Sequence, residues 1–175
     1  MTAVPERGCI HVYTGNGKGK TTAALGLALR ASGAGLKVYI QQFAKSRVCG
    51  EIKALSRIKN IKVSQCGNGL FIRGKPAISD IRCAQNGFID ARQKILSGRY
   101  DLVILDEINV AMKLGLINIE DVIGMIKNKP GSVELVLTGR GCPPAIKKIA
   151  DLVTEMREIK HPYRRGIVGR KGVEY

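Results

Sequence analysis

Short apolar runs alternate with stretches of helical periodicity along the whole chain. Cys9 to Tyr13 is a β-rich run that halts at Thr14-Gly15, and Lys20 to Ser32 then predicts a helix. Its apolar positions (Ala23, Ala24, Leu25, Leu27, Ala28, Leu29) run nearly all round, as expected for a helix buried against a sheet, and Gly33 and Gly35 stop it. Lys37 to Phe43 and Ile61 to Cys66 predict the second and third strands. Ile81, Ala84, Phe88, Ala91 and Ile95 recur at steps of three and four, marking one face of a helix that ends by Gly98. Leu102 to Leu105 is unbroken apolar, the mark of a central parallel strand buried on both faces, and it ends in Asp106-Glu107.

Further on, Asn118 predicts an N-cap, with Asp121 in the first turn and Ile119, Val122, Ile123 and Ile126 facing inward. Pro130-Gly131 turns the chain into a strand at Val133 to Leu137. Pro143-Pro144 opens another helix, and Val153 to Ile159 predicts a last strand. Strand and helix alternating at this rhythm imply an α/β fold with a mainly parallel central sheet and helices on both faces. No repeat, low-complexity tract or linker interrupts it, so residues 1–175 are expected to form one domain.

Composition narrows the setting. Apolar residues are 45% and charged residues 25%, an ordinary folded balance. No run approaches the roughly 20 apolar residues that a membrane helix needs. Met1 to Gly8 has no apolar stretch after its charges and does not read as a signal peptide, so a cytoplasmic protein with no membrane partner is expected. Cys9, Cys49, Cys66, Cys83 and Cys142 are scattered without a C-x-x-C pair and read as free thiols. With only His11 and His161 beside them, a zinc site is not expected.

Charge changes the picture more. Lys and Arg number 29 against 14 acids, a net +15 that suits polyanionic partners. The basic residues are nevertheless spread out, with local excesses at Lys45 to Lys62 and Arg157 to Lys171. Five tyrosines, three phenylalanines and no tryptophan supply no stacking platform for single strands. A solvated basic surface that attracts phosphates therefore fits better than a nucleic-acid partner.

The chemistry concentrates at Thr14-Gly15-Asn16-Gly17-Lys18-Gly19-Lys20-Thr21-Thr22, between a predicted strand and a predicted helix. Glycines there let backbone N–H groups wrap an anion, and the helix start adds the positive end of its dipole. Lys20 would give a charge to the phosphates, and the Thr21 hydroxyl would reach Mg²⁺. The expected fold is thus a P-loop, RecA-like domain that binds ATP. The general pattern G-x-x-x-x-G-K-[ST] has glycine where this chain has Thr14, so the loop is a variant. A glycine turn without a ligand is the bland alternative.

Asp106 and Glu107, closing a buried strand, are the candidate acids of the metal shell, or else caps of the next turn. Thr138-Gly139-Arg140-Gly141 follows another strand, on the sheet edge where open α/β sheets bind ligands. There Arg140 reaches a terminal phosphate, or the segment is an ordinary glycine turn. Gly67-Asn68-Gly69-Leu70-Phe71-Ile72 puts three apolar residues in a loop, either as core plugs or against an apolar ligand.

The string Val12 to Ala24 resembles the phosphate loop of the ATP:corrinoid adenosyltransferases of the CobA/BtuR type. So do Gln42-Phe43 with Lys45, Gly50-Glu51, Leu105 to Asn109, Thr138 to Gly141, Ala150 to Met156, Lys160-His161 and Gly172 to Tyr175. The resemblance covers almost the whole chain. It implies that a corrinoid reduced to Co(I) attacks the 5′ carbon of ATP and that triphosphate leaves. On this reading the nucleotide is held by Gly15, Asn16, Gly17, Lys18, Gly19, Lys20, Thr21, Thr22 and Arg140. Lys20, Thr21 and Glu107 act on the leaving chain, with Mg²⁺ (or Mn²⁺) held by Thr21, Glu107 and Asp106. The resemblance further implies an electron-donating flavoprotein reductase as partner and leaves a homodimer open.

The family displaces the lower cobalt ligand with bulky apolar side chains and commonly carries a glycine-phenylalanine-threonine-tryptophan loop. Here the loop reads Gly69-Leu70-Phe71-Ile72. Leu70, Phe71 and Ile72 are therefore the candidate corrinoid-binding residues. Two other classes stand beside this reading: an ordinary P-loop kinase or ATPase, which would release ADP, and a RecA-like nucleic-acid-binding ATPase, which would bind with steep salt dependence.

Overall fold

The computed structural model describes residues 7–43, 50–67 and 74–173. Six strands run in chain order as β1 (Ile10–Thr14), β2 (Val38–Phe43), β3 (Ile61–Cys66), β4 (Leu102–Asp106), β5 (Glu134–Thr138) and β6 (Leu152–Glu155). The helices are α1 (Lys20–Gly33), α2 (Gly50–Leu55), α3 (Ile78–Leu96), α4 (Ile108–Lys113), α5 (Ile119–Lys127) and α6 (Pro144–Ile149), with a 3₁₀ turn at Pro162–Arg165. The strands form one sheet in the order β3-β2-β4-β5-β1-β6, and every pairing is parallel. The expected α/β architecture is what the chain adopts.

Alternation along the strands divides the core in two. Val38 and Ile40, Leu102 and Ile104, and Val136 face α1 and α2, where they meet Ala24, Leu25, Ala28 and Leu55. Tyr39 and Phe43, Val103 and Leu105, and Leu135 and Leu137 face α3, α4, α5 and α6. Helices therefore cover both faces, and the central strands are apolar on both sides because both sides are buried.

Several local expectations need correction. Helix α1 is one-sided rather than apolar all round: Ala24, Leu25, Ala28 and Ala31 are buried, but Ala23 is exposed and Leu29 is 50% exposed. Helices α2 and α4 were not anticipated; at six residues each they are too short to show a period. The last strand ends at Glu155 rather than Ile159. Its ladder closes where the Met156 N–H donates to Thr14 O at 2.8 Å, and the chain then crosses the glycine loop, leaving Ile159 exposed. In α5 the buried positions are Val122, Met125 and Ile126, while Ile119 and Ile123 pack at the margin; Asn118 caps it by accepting from the Glu120 N–H. Among the described residues, no helix is long and apolar enough to cross a membrane.

Candidate functional site

The carboxyl ends of the strands converge on one edge of the sheet, and β5 separates the strand that feeds the glycine loop from the strand that ends in Asp106. The loop from Gly15 to Gly19 runs between β1 and α1, under the segment that follows β6. Gly15 sits at φ +98°, and a Cβ there would lie 2.4 Å from Met156 O. At Gly17 a Cβ would meet the Arg157 backbone at 2.8 Å. The Gly17 N–H donates to Met156 O at 2.7 Å, so part of the loop is braced by this neighbouring backbone.

Thr14, the departure from the glycine pattern, ends β1 and is buried. Its hydroxyl accepts from the Cys142 N–H at 3.3 Å, tying the glycine loop to the Thr138–Cys142 turn. A glycine could not make that bond. The substitution therefore exchanges backbone freedom for a fastening between two loops.

Lys20 begins α1 and is only 7% exposed. Its ammonium donates to Gly15 O at 2.9 Å and to Gly17 O at 2.7 Å, which holds it over the loop. Burial lowers its pKa; the Glu107 and Asp106 carboxylates oppose that shift, and the Arg140 guanidinium adds to it. Both acids and Arg140 thus act on the same cation. Arg140 itself is exposed, as are Asn16, Lys18 and Thr22.

Asp106 is fully buried at the end of β4. Its Oδ1 accepts from the Thr21 hydroxyl at 2.8 Å and from the Thr138 hydroxyl at 2.6 Å, and its Oδ2 accepts from Gln42 Nε2 at 3.0 Å. The Thr138 oxygen in turn accepts from the Glu107 N–H at 3.0 Å. Glu107 has φ 62° and is the one non-glycine residue with positive φ among those described. A left-handed backbone at such a residue costs about 1–2 kcal/mol, and strain of this kind tends to collect at working sites. Asn109, two residues on, is buried with Nδ2 donating to Gly139 O at 3.2 Å, while its Oδ1 has no partner among the described residues.

The donor set suits Mg²⁺. Thr21, Asp106 and Glu107 offer hard oxygens, and the described residues hold no group of three His, Cys, Asp or Glu side chains able to cage an ion. Two carboxylates and a hydroxyl match a cation that keeps waters and takes substrate phosphates as its remaining ligands. Beside the loop opens a polar cleft of about 250 Å³ lined by Asn16, Glu155, Arg157, Glu158 and Arg164, where Arg164 Nε meets Glu158 Oε1 at 2.7 Å.

The structure thus brings Lys20, Thr21, Asp106, Glu107 and Arg140 to one sheet edge. Leu70, Phe71 and Ile72 lie outside the described residues. Sequence reasoning gave no role to Gln42 or to the Thr138 hydroxyl, both bonded to Asp106. The available signal was a polar side chain near the carboxyl end of a buried strand, since a buried polar group requires a partner.

The chain is similar to known proteins over nearly its whole length. The profile of the ATP:corrinoid adenosyltransferase BtuR/CobO/CobP family matches residues 6–175. A corrinoid adenosyltransferase of Pseudomonas aeruginosa is 37% identical over 172 residues, covering 97% of this chain and 85% of that protein. One from a Sinorhizobium species is 35% identical, covering 99% of this chain and 83% of that protein. The Escherichia coli K12 corrinoid adenosyltransferase is 33% identical, covering 99% and 88%. With a profile match over nearly its full length and relatives at this identity, the chain belongs to the ATP:corrinoid adenosyltransferase family.

Proposed function

We propose that the protein transfers the 5′-deoxyadenosyl group of ATP to the Co(I) of a corrinoid at the sheet edge where Lys20, Thr21, Asp106 and Glu107 meet. A cobalt–carbon bond forms as the C5′–O5′ bond breaks, and the electron pair of that bond leaves with triphosphate. Cobalt is the nucleophile, so no side chain needs to act as a general base. The tasks left to the protein are orientation and stabilisation of the departing charge.

The hydrogen bond from Thr21 to Asp106 carries this reading, because it joins the loop helix to the acid strand at the place a phosphate-bound cation requires. Lys20 already lies over the loop and offers its charge to the phosphate chain. Gly15 to Thr22 wrap that chain, and Arg140 approaches from the neighbouring turn. Thr21, Asp106 and Glu107 would hold Mg²⁺ or Mn²⁺, which supplies neutralisation of the triphosphate as it departs.

Leu70, Phe71 and Ile72 are the proposed apolar wall on the cobalt's lower face, with Phe71 in the place of the family's tryptophan. A flavoprotein reductase, a cytoplasmic setting and a single domain over residues 1–175 complete the proposal, which leaves a homodimer open. Incubation with ATP, Mg²⁺ and chemically reduced corrinoid should yield inorganic triphosphate and a cobalt–carbon bond. Release of ADP or orthophosphate without alkylated corrinoid would refute the reading in favour of a kinase or ATPase.

A further inference from the structure

Three polar side chains on neighbouring strands form a directed row. Gln42 on β2 stands in register with Gln65 of β3 on one side and with Asp106 of β4 on the other. Gln65 Nε2 donates to Gln42 Oε1 at 2.9 Å, and Gln42 Nε2 donates to Asp106 Oδ2 at 3.0 Å. A carboxylate only accepts, so Gln42 must turn its NH₂ toward Asp106 and its oxygen toward Gln65. Gln42 is 1% exposed, which leaves its amide no water to fall back on. A flipped amide would set oxygen against oxygen at the acid, and a buried mismatch of that kind is costly.

We infer that Gln42 is a positioning residue for Asp106 and that Gln65 sets the sense of the Gln42 amide, so that the pair orients the acid for the metal–nucleotide complex. The inference rests on the proposed role of Asp106 in that site. It adds two residues to which the phosphate-loop pattern assigns nothing. With Gln42 on Oδ2, the opposite oxygen stays with Thr21 and Thr138. Rotation of the carboxylate would break all of these bonds together.

Equilibrium binding of ATP to the full chain, with Mg²⁺ and with EDTA, tests this without any corrinoid. Gln42→Met keeps length and apolar bulk but donates nothing; loss of one hydrogen bond to a charged acceptor should raise the Kd of Mg·ATP about tenfold. Metal-free ATP should change by less than about twofold, because the phosphate loop itself is untouched. Gln65→Met merely frees the amide and should cost about threefold.

Gln65→Glu is closer in shape, yet it should cost more than Gln65→Met, because a carboxylate there attracts the Gln42 NH₂ and turns its oxygen onto Asp106. In a Gln42→Met background neither Gln65 substitution should matter further. A packing role predicts the opposite order and independent, additive effects, and either result would overturn the inference. Should Gln42→Met fail to fold, the order of the two Gln65 variants decides alone, since Gln65 is only half-buried. A wild-type chain that binds ATP equally with and without Mg²⁺ removes the metal-site reading and this inference with it. Normal Mg²⁺ dependence with unordered Gln65 variants removes the inference only.

Discussion

Thr21 and Asp106 stand 85 residues apart in the chain, and the threonine hydroxyl donates to the aspartate at 2.8 Å. The hydroxyl proton is thereby directed at Asp106, which turns the oxygen lone pairs elsewhere and leaves them available to a cation. Thr21→Val preserves shape and removes both functions. Adenosyl transfer should fall about a hundredfold or more, while Thr21→Ser should stay within about tenfold of wild type. Activity of Thr21→Val equal to that of Thr21→Ser would show that the hydroxyl is not used.

Lys20 and Lys18 share one loop and differ in setting. Lys20 is buried with its ammonium on two loop carbonyls, whereas Lys18 is exposed. On its proposed role at the leaving triphosphate, Lys20→Ala should lose nearly all turnover, on the order of a hundredfold or more, because no neutral group replaces a fixed cation. Lys18→Ala should cost about tenfold or less. The comparison is made in kcat at saturating ATP, and equal losses in the two variants would remove the special role of Lys20.

The sheet was legible because a strand buried on both faces must be apolar where it is covered, as Leu102 to Leu105 and Leu135 to Leu137 are. The glycine loop and its two acids were legible from residue type and order. What the chain did not disclose depends on which strands are neighbours. Nothing local says that Gln42 lies between Gln65 and Asp106, or that Thr14 bonds a backbone N–H 128 residues away. Thr14 read only as a variant position in a motif for that reason, and the structure makes it a fastening. Helix α1 was read as apolar all round because composition counts Ala23 and Leu29 as core, while the sheet covers only one side of the helix.

Cys142 closes the turn that Thr14 fastens, and it is 6% exposed. Burial pushes its thiol up from the ordinary 9.0 to about 11, with Lys147 pulling weakly the other way. The folded state thus holds this proton more tightly than the unfolded chain does. The sign follows: the stabilisation is whole below pH 9.0 and is lost as pH rises through about 11. Urea unfolding of wild type and Cys142→Ala from pH 8 to pH 11 should show their difference in stability shifting by about 2 kcal/mol against wild type at the alkaline end. Parallel profiles would mean that the thiol titrates as it does in the unfolded chain. Alkylation by iodoacetamide at pH 8 should correspondingly require unfolding.

Glu107 offers the sharpest separation of folding from function. It joins β4 to α4 in a left-handed conformation at φ 62° and ψ 19°, and its carboxylate acts on Lys20. A glutamate gains nothing from that backbone, since its side chain crowds the carbonyl that follows; asparagine tolerates it far better. Glu107→Asn and Glu107→Gln both delete the charge, and they differ in how readily the residue accepts the turn. Glu107→Asn should be more stable than Glu107→Gln by about 0.5–1 kcal/mol, a difference of roughly 1–4 °C in Tm for a chain of this size. Both should nonetheless lose about tenfold or more in turnover and need more Mg²⁺ to reach half-maximal rate, because a neutral amide is a poor ligand for a hard cation. If Glu107→Asn melts below Glu107→Gln, the backbone strain is not what the turn costs. If either variant keeps the wild-type Mg²⁺ titration curve, the metal belongs to Asp106 and Thr21, and Glu107 serves the turn alone.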